Sequence, residues 1–122
     1  MIKHHVKATS MELTPAISDY LDKKLSVLEK FVDEKSEAIA RIEVGRTTGH
    51  HHKGDVFRAE ITLDVEGKQF RAEAEAGDLY AAIDMMKDDV VQEVTRAGKK
   101  KKHLLKRGHQ KVKDLLRKWK VR

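Results

Sequence analysis

The chain of 122 residues lacks cysteine and asparagine altogether. Without cysteine it can form no disulfide, no thiolate zinc site and no cysteine nucleophile, and without asparagine it has no acceptor for N-linked glycans. No apolar run approaches the ~20 residues that cross a bilayer, and the residues after Met1 lack the apolar core of a signal peptide. These absences predict a soluble protein of the cytoplasm.

Sequence signatures of catalysis are missing as well. There is no phosphate-cradling glycine loop and no His-Glu-x-x-His motif, and none of the serines stands in a nucleophile context. The many carboxylates alternate with arginines in the manner of a solvated sheet surface. We therefore expect a protein that is not an enzyme, needs no cofactor and takes no small-molecule substrate.

Charge is divided unevenly along the chain. Residues 1–98 contain 14 Lys and Arg against 19 Asp and Glu, a net charge of −5, whereas residues 99–122 contain 12 Lys and Arg against one acid, a net charge of +11. We call residues 99–122 the basic tail. Such asymmetry indicates a polyanionic partner, either a nucleic acid or an anionic membrane. A tail that only aids solubility is the alternative.

Four segments alternate between apolar and polar residues, which is the pattern of strands with one buried face. They cover residues 2–9, 38–47, 57–65 and 70–76. The last two are joined by Glu66-Gly67, a pair typical of a tight turn because glycine accepts positive φ. We expect the last three strands to pair antiparallel.

Two further segments have helical periodicity. The first begins after Thr14 as N-cap, with Pro15 at the first helical position, and extends to about Phe31. The second follows Asp78 as N-cap, and Gly98 is predicted to end it as the C′ residue. The order β-α-β-β-β-α over residues 1–98 favours an α+β domain in which both helices cover one face of a four-stranded sheet.

The basic tail also has helical periodicity. Its apolar residues fall at helical spacing, at Leu105, Val112, Leu116 and Trp119, so we predict a basic amphipathic helix, broken or bent near Gly108. An interfacial membrane anchor is one interpretation, but the apolar stripe is short and interrupted.

The phosphates of a nucleic acid are the favoured partner of the basic tail. Because Trp119 is the one aromatic residue of the tail, we expect recognition of backbone and shape rather than base stacking.

The cluster His50-His51-His52 invites a metal-binding interpretation, since imidazole binds zinc and copper. Adjacent residues of an extended segment point to different sides, however, so one ion seldom uses all three. A polar hairpin loop is the more economical reading, and contact with RNA is a third.

Two stretches resemble the ribosome hibernation promoting factors, also called ribosome-associated translation inhibitors. The first is Met11-Glu12-Leu13-Thr14-Pro15-Ala16-Ile17, continuing through Tyr20 to Leu28-Glu29-Lys30-Phe31, and it is similar to the exit of that family's first strand and to its first helix. The second, Asp78-Leu79-Tyr80-Ala81-Ala82-Ile83-Asp84, is similar to the start of the family's second helix. The resemblance covers about residues 2–98.

The resemblance implies a fold like that of double-stranded-RNA-binding domains and a function in translation. Family members bind the small ribosomal subunit and its 16S-type rRNA at the decoding region, in the channel used by mRNA and tRNA. They silence idle ribosomes during stress by steric occlusion and catalyse no reaction. This chain resembles the short members, but its tail is basic, so whether it promotes or prevents ribosome pairing is left open.

The resemblance also implies RNA-binding residues, because family members have basic residues on the exposed faces of both helices. Lys24, Lys30 and Arg96 match that pattern, whereas Val27, Asp89 and Gln92 stand where basic residues are usual. We hypothesise that the start of the basic tail supplies the missing charge. The residues of this second group are Lys99, Lys100, Lys101, Lys102, Lys106 and Arg107.

Two principal functions follow from these patterns. The first is a ribosome-binding translation inhibitor that fills the decoding channel. The second is a general nucleic-acid-binding protein that acts through its basic tail alone. A metal-dependent enzyme that uses the histidine loop is a third and more remote interpretation.

Overall fold

The computed structural model describes residues 2–47 and 54–120, with side chains for 2–47, 54–100 and Lys106. The predicted order β-α-β-β-β-α is confirmed. The elements are β1 (Ile2–Thr9), α1 (Pro15–Glu29), β2 (Ala38–Thr47), β3 (Val56–Val65), β4 (Lys68–Ala76) and α2 (Leu79–Lys120).

The four strands form one mixed sheet in the order β1-β2-β3-β4. β1 runs parallel to β2, because α1 carries the chain back across the sheet between them. β2, β3 and β4 are antiparallel, as predicted. The turn from β3 to β4 places Glu66 at φ 51° and Gly67 at φ 84°, which confirms the predicted two-residue turn.

Register assigns each strand residue to one of two sheet faces. Ile42 of β2 pairs with Val6 of β1 on one side and with Ile61 of β3 on the other, and Ile61 pairs with Ala72 of β4. This apolar row belongs to the face that both helices cover. The opposite face, which we call the open face, is lined mainly by charged and polar side chains.

Helix α1 begins as its sequence predicts. The Thr14 hydroxyl accepts a hydrogen bond from the Ile17 amide at 3.2 Å, and Pro15 occupies the first turn. The helix ends at Glu29, so the predicted end near Phe31 is two residues too far. The amides of Lys30 and Phe31 instead bond the carbonyls of Val27 and Leu28, three residues earlier, which tightens the last turn.

The core lies between the covered sheet face and the two helices. No polar or charged residue is buried among those described. The helices contribute Ile17, Leu21, Leu25 and Leu28 from α1 and Leu79, Ala82, Ile83, Met86 and Val90 from α2. The largest fully buried side chains are Leu21, Leu28, Val44, Ile61, Leu63, Ile83 and Val90. At about 25 cal/mol per Å² of apolar area, such burial is the main stabilising term of a domain this size.

Helix α2 does not end at Gly98. It continues as one helix to Lys120, so the predictions of a C′ glycine at 98 and of a break at Gly108 are wrong. A helix interior tolerates glycine at a cost of about 1 kcal/mol, and the neighbouring lysines are good helix formers. The 42 residues correspond to a rod about 63 Å long. The division into a domain (1–98) and a tail (99–122) stays a prediction, and a single helix spans its boundary.

Replacing Gly98 with alanine should therefore stabilise the protein. A β-carbon added at Gly98 meets nothing within 4 Å, and alanine has the higher helix propensity by about 1 kcal/mol. We expect more helix by circular dichroism at 222 nm and a gain of about 0.5–1 kcal/mol in unfolding by urea. As control, Gly67→Ala should destabilise, since Gly67 has φ 84°. A loss of helix in Gly98→Ala would mean that this position needs a left-handed conformation after all.

Candidate nucleic-acid interface

Six of the nine predicted RNA-binding side chains lie within the described set. Arg96, Lys99, Lys100 and Lys106 are exposed along α2, and Lys30 is exposed at the end of α1. Lys101, Lys102 and Arg107 also lie in α2, but for these three the structure describes the backbone and not the side chain. The structure thus places the cations beyond Arg96 on one continuous helix.

Arg96 and Lys30 each have a local role in addition to their exposure. The Arg96 guanidinium contacts Glu93 Oε1 at 3.2 Å, one turn earlier, and its side chain remains 73% exposed. Such a surface pair contributes little and leaves the cation available to solvent or to an anion. Lys30 is the C-cap of α1, where a positive charge is favoured by the helix dipole.

Lys24 differs from the other predicted residues because it is already engaged within the protein. Its ammonium lies 2.9 Å from Asp84 Oδ1 of α2 and 5.0 Å from the ring centre of Tyr20, and its side chain is only 21% exposed. Lys24 therefore connects the two helices, and Asp84 balances its charge.

Tyr20 completes this interhelical network. Its hydroxyl donates to Asp84 Oδ2 at 2.7 Å, and its ring packs edge-on against Tyr80 at 4.9 Å. The hydrogen bond to Asp84 raises the pKa of Tyr20, and the bond to the same carboxylate raises the pKa of Lys24. Burial disfavours the charged form of Asp84, but the bonds from Lys24 and Tyr20 outweigh it and hold the pKa of Asp84 below its usual value.

Charge changes sign along the solvent-facing side of α2. Asp88, Asp89 and Glu93 are exposed in its first half, where Lys87 pairs with Asp88. The cations that follow are exposed wherever the structure describes their side chains, at Arg96, Lys99, Lys100 and Lys106. A polyanion would be repelled by the acidic residues and attracted by the cations that follow them.

The open face of the sheet has its own division of charge. On the β3–β4 side, Arg58 contacts Glu60 and Glu73, each at 2.6 Å, and Arg71 also pairs with Glu60. The Glu73 hydrogen bond raises the pKa of Arg58, and the same bond lowers the pKa of Glu73. These ion pairs fit the expected solvated sheet surface. The β1–β2 side is cationic. Alternation along β1 alone puts Lys3, His5 and Lys7 on one side of the strand, and the register adds Arg41 of β2 beside His5.

Metal binding gains no support from the described residues. Among them no three of His, Cys, Asp and Glu come together. His4 faces the helices and lies 3.1 Å from Asp22 of α1, whereas His5 is on the open face. The cluster His50-His51-His52 lies outside the described residues, so its role stays an open prediction.

Neither helix, over the residues described, combines the length and the apolar character needed to span a membrane.

The fold and the surface define a class: a small α+β domain with a mixed four-stranded sheet, two helices on one face and a long helix that becomes cationic as it leaves the core. A family model described as "Sigma 54 modulation protein / S30EA ribosomal protein" matches residues 4–102. The chain belongs to this family, which confirms the resemblance noted from the sequence. Neither term of that description denotes an enzyme.

Two relatives of this chain are both named as ribosome hibernation factors. The chain is 31% identical to the ribosome hibernation promoting factor of Klebsiella oxytoca over 92 residues, which are 75% of this chain and 88% of that protein. It is 27% identical to the ribosome hibernation promotion factor of Staphylococcus aureus (strain COL) over 96 residues, 79% of this chain and 48% of the relative. The chain thus spans about half of the staphylococcal protein.

Solved structures agree in fold. The N-terminal domain of Thermus thermophilus Protein Y is 35% identical, with a TM-score of 0.63 over 78% of this chain and 96% of that domain. A ribosomal subunit interface protein from Coxiella burnetii aligns with a TM-score of 0.57 over 80% of this chain and 96% of the other. Because the second match is only 14% identical in sequence, it shows a similarity of fold alone.

Proposed function

We propose that this protein is a ribosome hibernation factor of the cytoplasm that inhibits translation without catalysing a reaction. In this proposal it binds the small ribosomal subunit through 16S-type rRNA at the decoding region and occupies the channel that mRNA and tRNA need. The observation that carries the proposal is family membership over residues 4–102, together with relatives named as hibernation factors.

The charge distribution supports an RNA partner for this function. The exposed cations Arg96, Lys99, Lys100 and Lys106 lie where α2 leaves an otherwise acidic domain. Lysine and arginine neutralise phosphates and release counterions, so we expect affinity to fall steeply with salt. Lys30 adds to this set from α1. Lys24 remains in the proposed set of RNA-binding residues, but its ion pair with Asp84 balances its charge.

A second candidate function is supported by the same helix. Because α2 continues as a rod beyond the core, its cations could bind any nucleic acid without help from the domain. Such a general nucleic-acid-binding protein would respond to phosphate density, whereas a channel occupant would respond to the ligands of the channel.

Competition on purified small subunits separates the two functions. The protein is sedimented with subunits across a salt series, with and without mRNA plus initiator tRNA, and a DNA duplex, which cannot enter the channel as mRNA does, serves as a control at equal phosphate concentration. For a channel occupant we expect mRNA and tRNA together to exclude the protein, and the DNA duplex to do so far less. Equal displacement by both would contradict the decoding-channel proposal and favour the general binder.

A further inference from the structure

The open face of the sheet contains a cationic strip on its β1–β2 side. The strip consists of Lys3, His5 and Lys7 on β1 and Arg41 on β2, and all four side chains are exposed. Arg41 is the register partner of His5, so it stands beside the middle of the row. With about 3.3 Å per strand residue and ~4.8 Å between strands, the four residues occupy a patch roughly 13 Å long and 5 Å wide.

The lysines and the arginine of the strip form no ion pairs within the described part of the chain. Within the described part of the chain, Lys3, Lys7 and Arg41 have no carboxylate within salt-bridge distance, although Glu43 is the register partner of Lys7. Glu43 instead accepts a hydrogen bond from the Thr9 hydroxyl at 3.0 Å. On the other half of the same face, Arg58 and Arg71 are both paired with glutamates. The two halves therefore differ in available charge.

The residue types of the open face decide what kind of anion the strip fits. No Phe, Tyr or Trp lies on this face among the described strand residues, so the face lacks the aromatic platforms on which other RNA-binding sheets stack bases. Lysine and arginine without stacking partners suit a phosphodiester backbone. The acidic β3–β4 half repels the same backbone, which would confine the polyanion to the β1–β2 edge.

We propose that the strip of Lys3, His5, Lys7 and Arg41 is a second RNA-backbone site, on the sheet face opposite the two helices. The inference deepens the proposed function and rests on it for the identity of the RNA, namely rRNA of the small subunit. With cations on α2 and on the open face, the protein holds RNA on two opposite sides. Such a two-sided contact suits a protein that fills a channel and distinguishes it from one that lies on a single RNA surface.

The test compares two double variants with the same change in charge. Lys3→Gln/Lys7→Gln removes the lysines of the strip, and Lys35→Gln/Lys68→Gln removes two exposed lysines that lie outside it. Binding to small subunits is measured from 50 to 300 mM salt on the full chain. We expect the strip variant to bind about fivefold more weakly and to lose about 1.5 from the log–log salt slope, and the control to stay within about twofold of the parent.

A second variant tests whether weaker binding of the first variant comes from aggregation rather than from a lost RNA contact. β1 is an edge strand, and edge lysines also protect against aggregation. Arg41→Gln changes the interior strand β2 instead, and we expect it to lower the salt slope by about 1 while the protein stays monodisperse in sedimentation velocity. If both strip variants bind as tightly as the Lys35/Lys68 control, the inference is overturned and the proposed function still stands.

The proposed function can also fail while the strip remains an RNA-backbone site. If the parent protein does not bind small subunits at all, the proposed function fails, and the same variants are then measured against polyuridylate. Weaker binding of the strip variants than of the control would keep the strip as an RNA-backbone site. Equal binding, or no binding by the parent, would overturn the inference as well.

Discussion

Replacing Lys99, Lys100, Lys101 and Lys102 together with glutamine is expected to weaken binding to the small ribosomal subunit by about a hundredfold near physiological salt. Each neutralised phosphate contributes about 0.7–0.9 to the log–log salt slope, so the loss of four contacts should lower the slope by about 3. Glutamine has nearly the helix propensity of lysine, so α2 should persist. Sedimentation with purified subunits across a salt series measures both quantities, and circular dichroism checks the helix.

The basic tail offers a matched control for this variant. Replacement of Lys111, Lys113, Lys118 and Lys120 with glutamine removes the same charge from the same helix, but farther from the domain. If the position next to the domain matters, the control should bind clearly more tightly than the first variant. Equal losses would indicate a general electrostatic tail, and unchanged affinity in the first variant would remove Lys99–Lys102 from the proposed interface.

Asp84→Asn should destabilise the fold by about 1–2 kcal/mol, because it removes the carboxylate that accepts a hydrogen bond from Tyr20 and forms an ion pair with Lys24. Hydrogen bonds to charged groups contribute about 1.5–3 kcal/mol when buried. The Asp84 side chain is 42% exposed, so solvent screening reduces that figure. Urea unfolding at pH 7 measures the change. Asp88→Asn, on the same helix and more exposed, is the control and should change stability by less than about 0.5 kcal/mol.

The same network predicts a pH dependence with a definite sign. The pKa of Asp84 is lower in the folded state than the usual 3.8, so its stabilising contribution is complete above that value and is lost as pH falls through the folded value. The pKa of Tyr20 is raised above 10.0, so its contribution is present below pH 10 and is lost at higher pH. Asp84→Asn should flatten the acid limb of the stability curve. An unchanged acid limb would show that other carboxylates dominate it.

The parts of the fold that the sequence predicted are those encoded by short-range pattern. Alternation along β1 to β4 and the recurrence of Ile17, Leu21, Leu25 and Leu28 in α1 report which side chains face the core. Thr14 and the pair Glu66-Gly67 mark a helix start and a turn through local hydrogen bonding and positive φ. These signals act over a few residues, so they can be recognised without knowledge of the rest of the chain.

The predictions that failed concern how elements continue. Glycine is common just after a helix, but inside a helix it costs only about 1 kcal/mol, and the lysines that follow Gly98 are good helix formers, so the helix continues. The candidate site shows the same limit. The exposure of Arg96, Lys99 and Lys100 agrees with their charge, whereas the engagement of Lys24 required knowledge that Asp84, sixty residues away, lies across the helix interface.

By itself the sequence determined the number, type and order of the elements, the apolar face of each and the net charge of each part, because these depend on residue type and near-neighbour spacing. Only the tertiary structure decided that β1 pairs in parallel with β2, that Tyr20, Lys24 and Asp84 form one network, and that Arg41 stands beside the cations of β1. Each of these depends on residues that are far apart in the chain. Their contact is set by the packing of the whole core and by strand register, which no local pattern encodes.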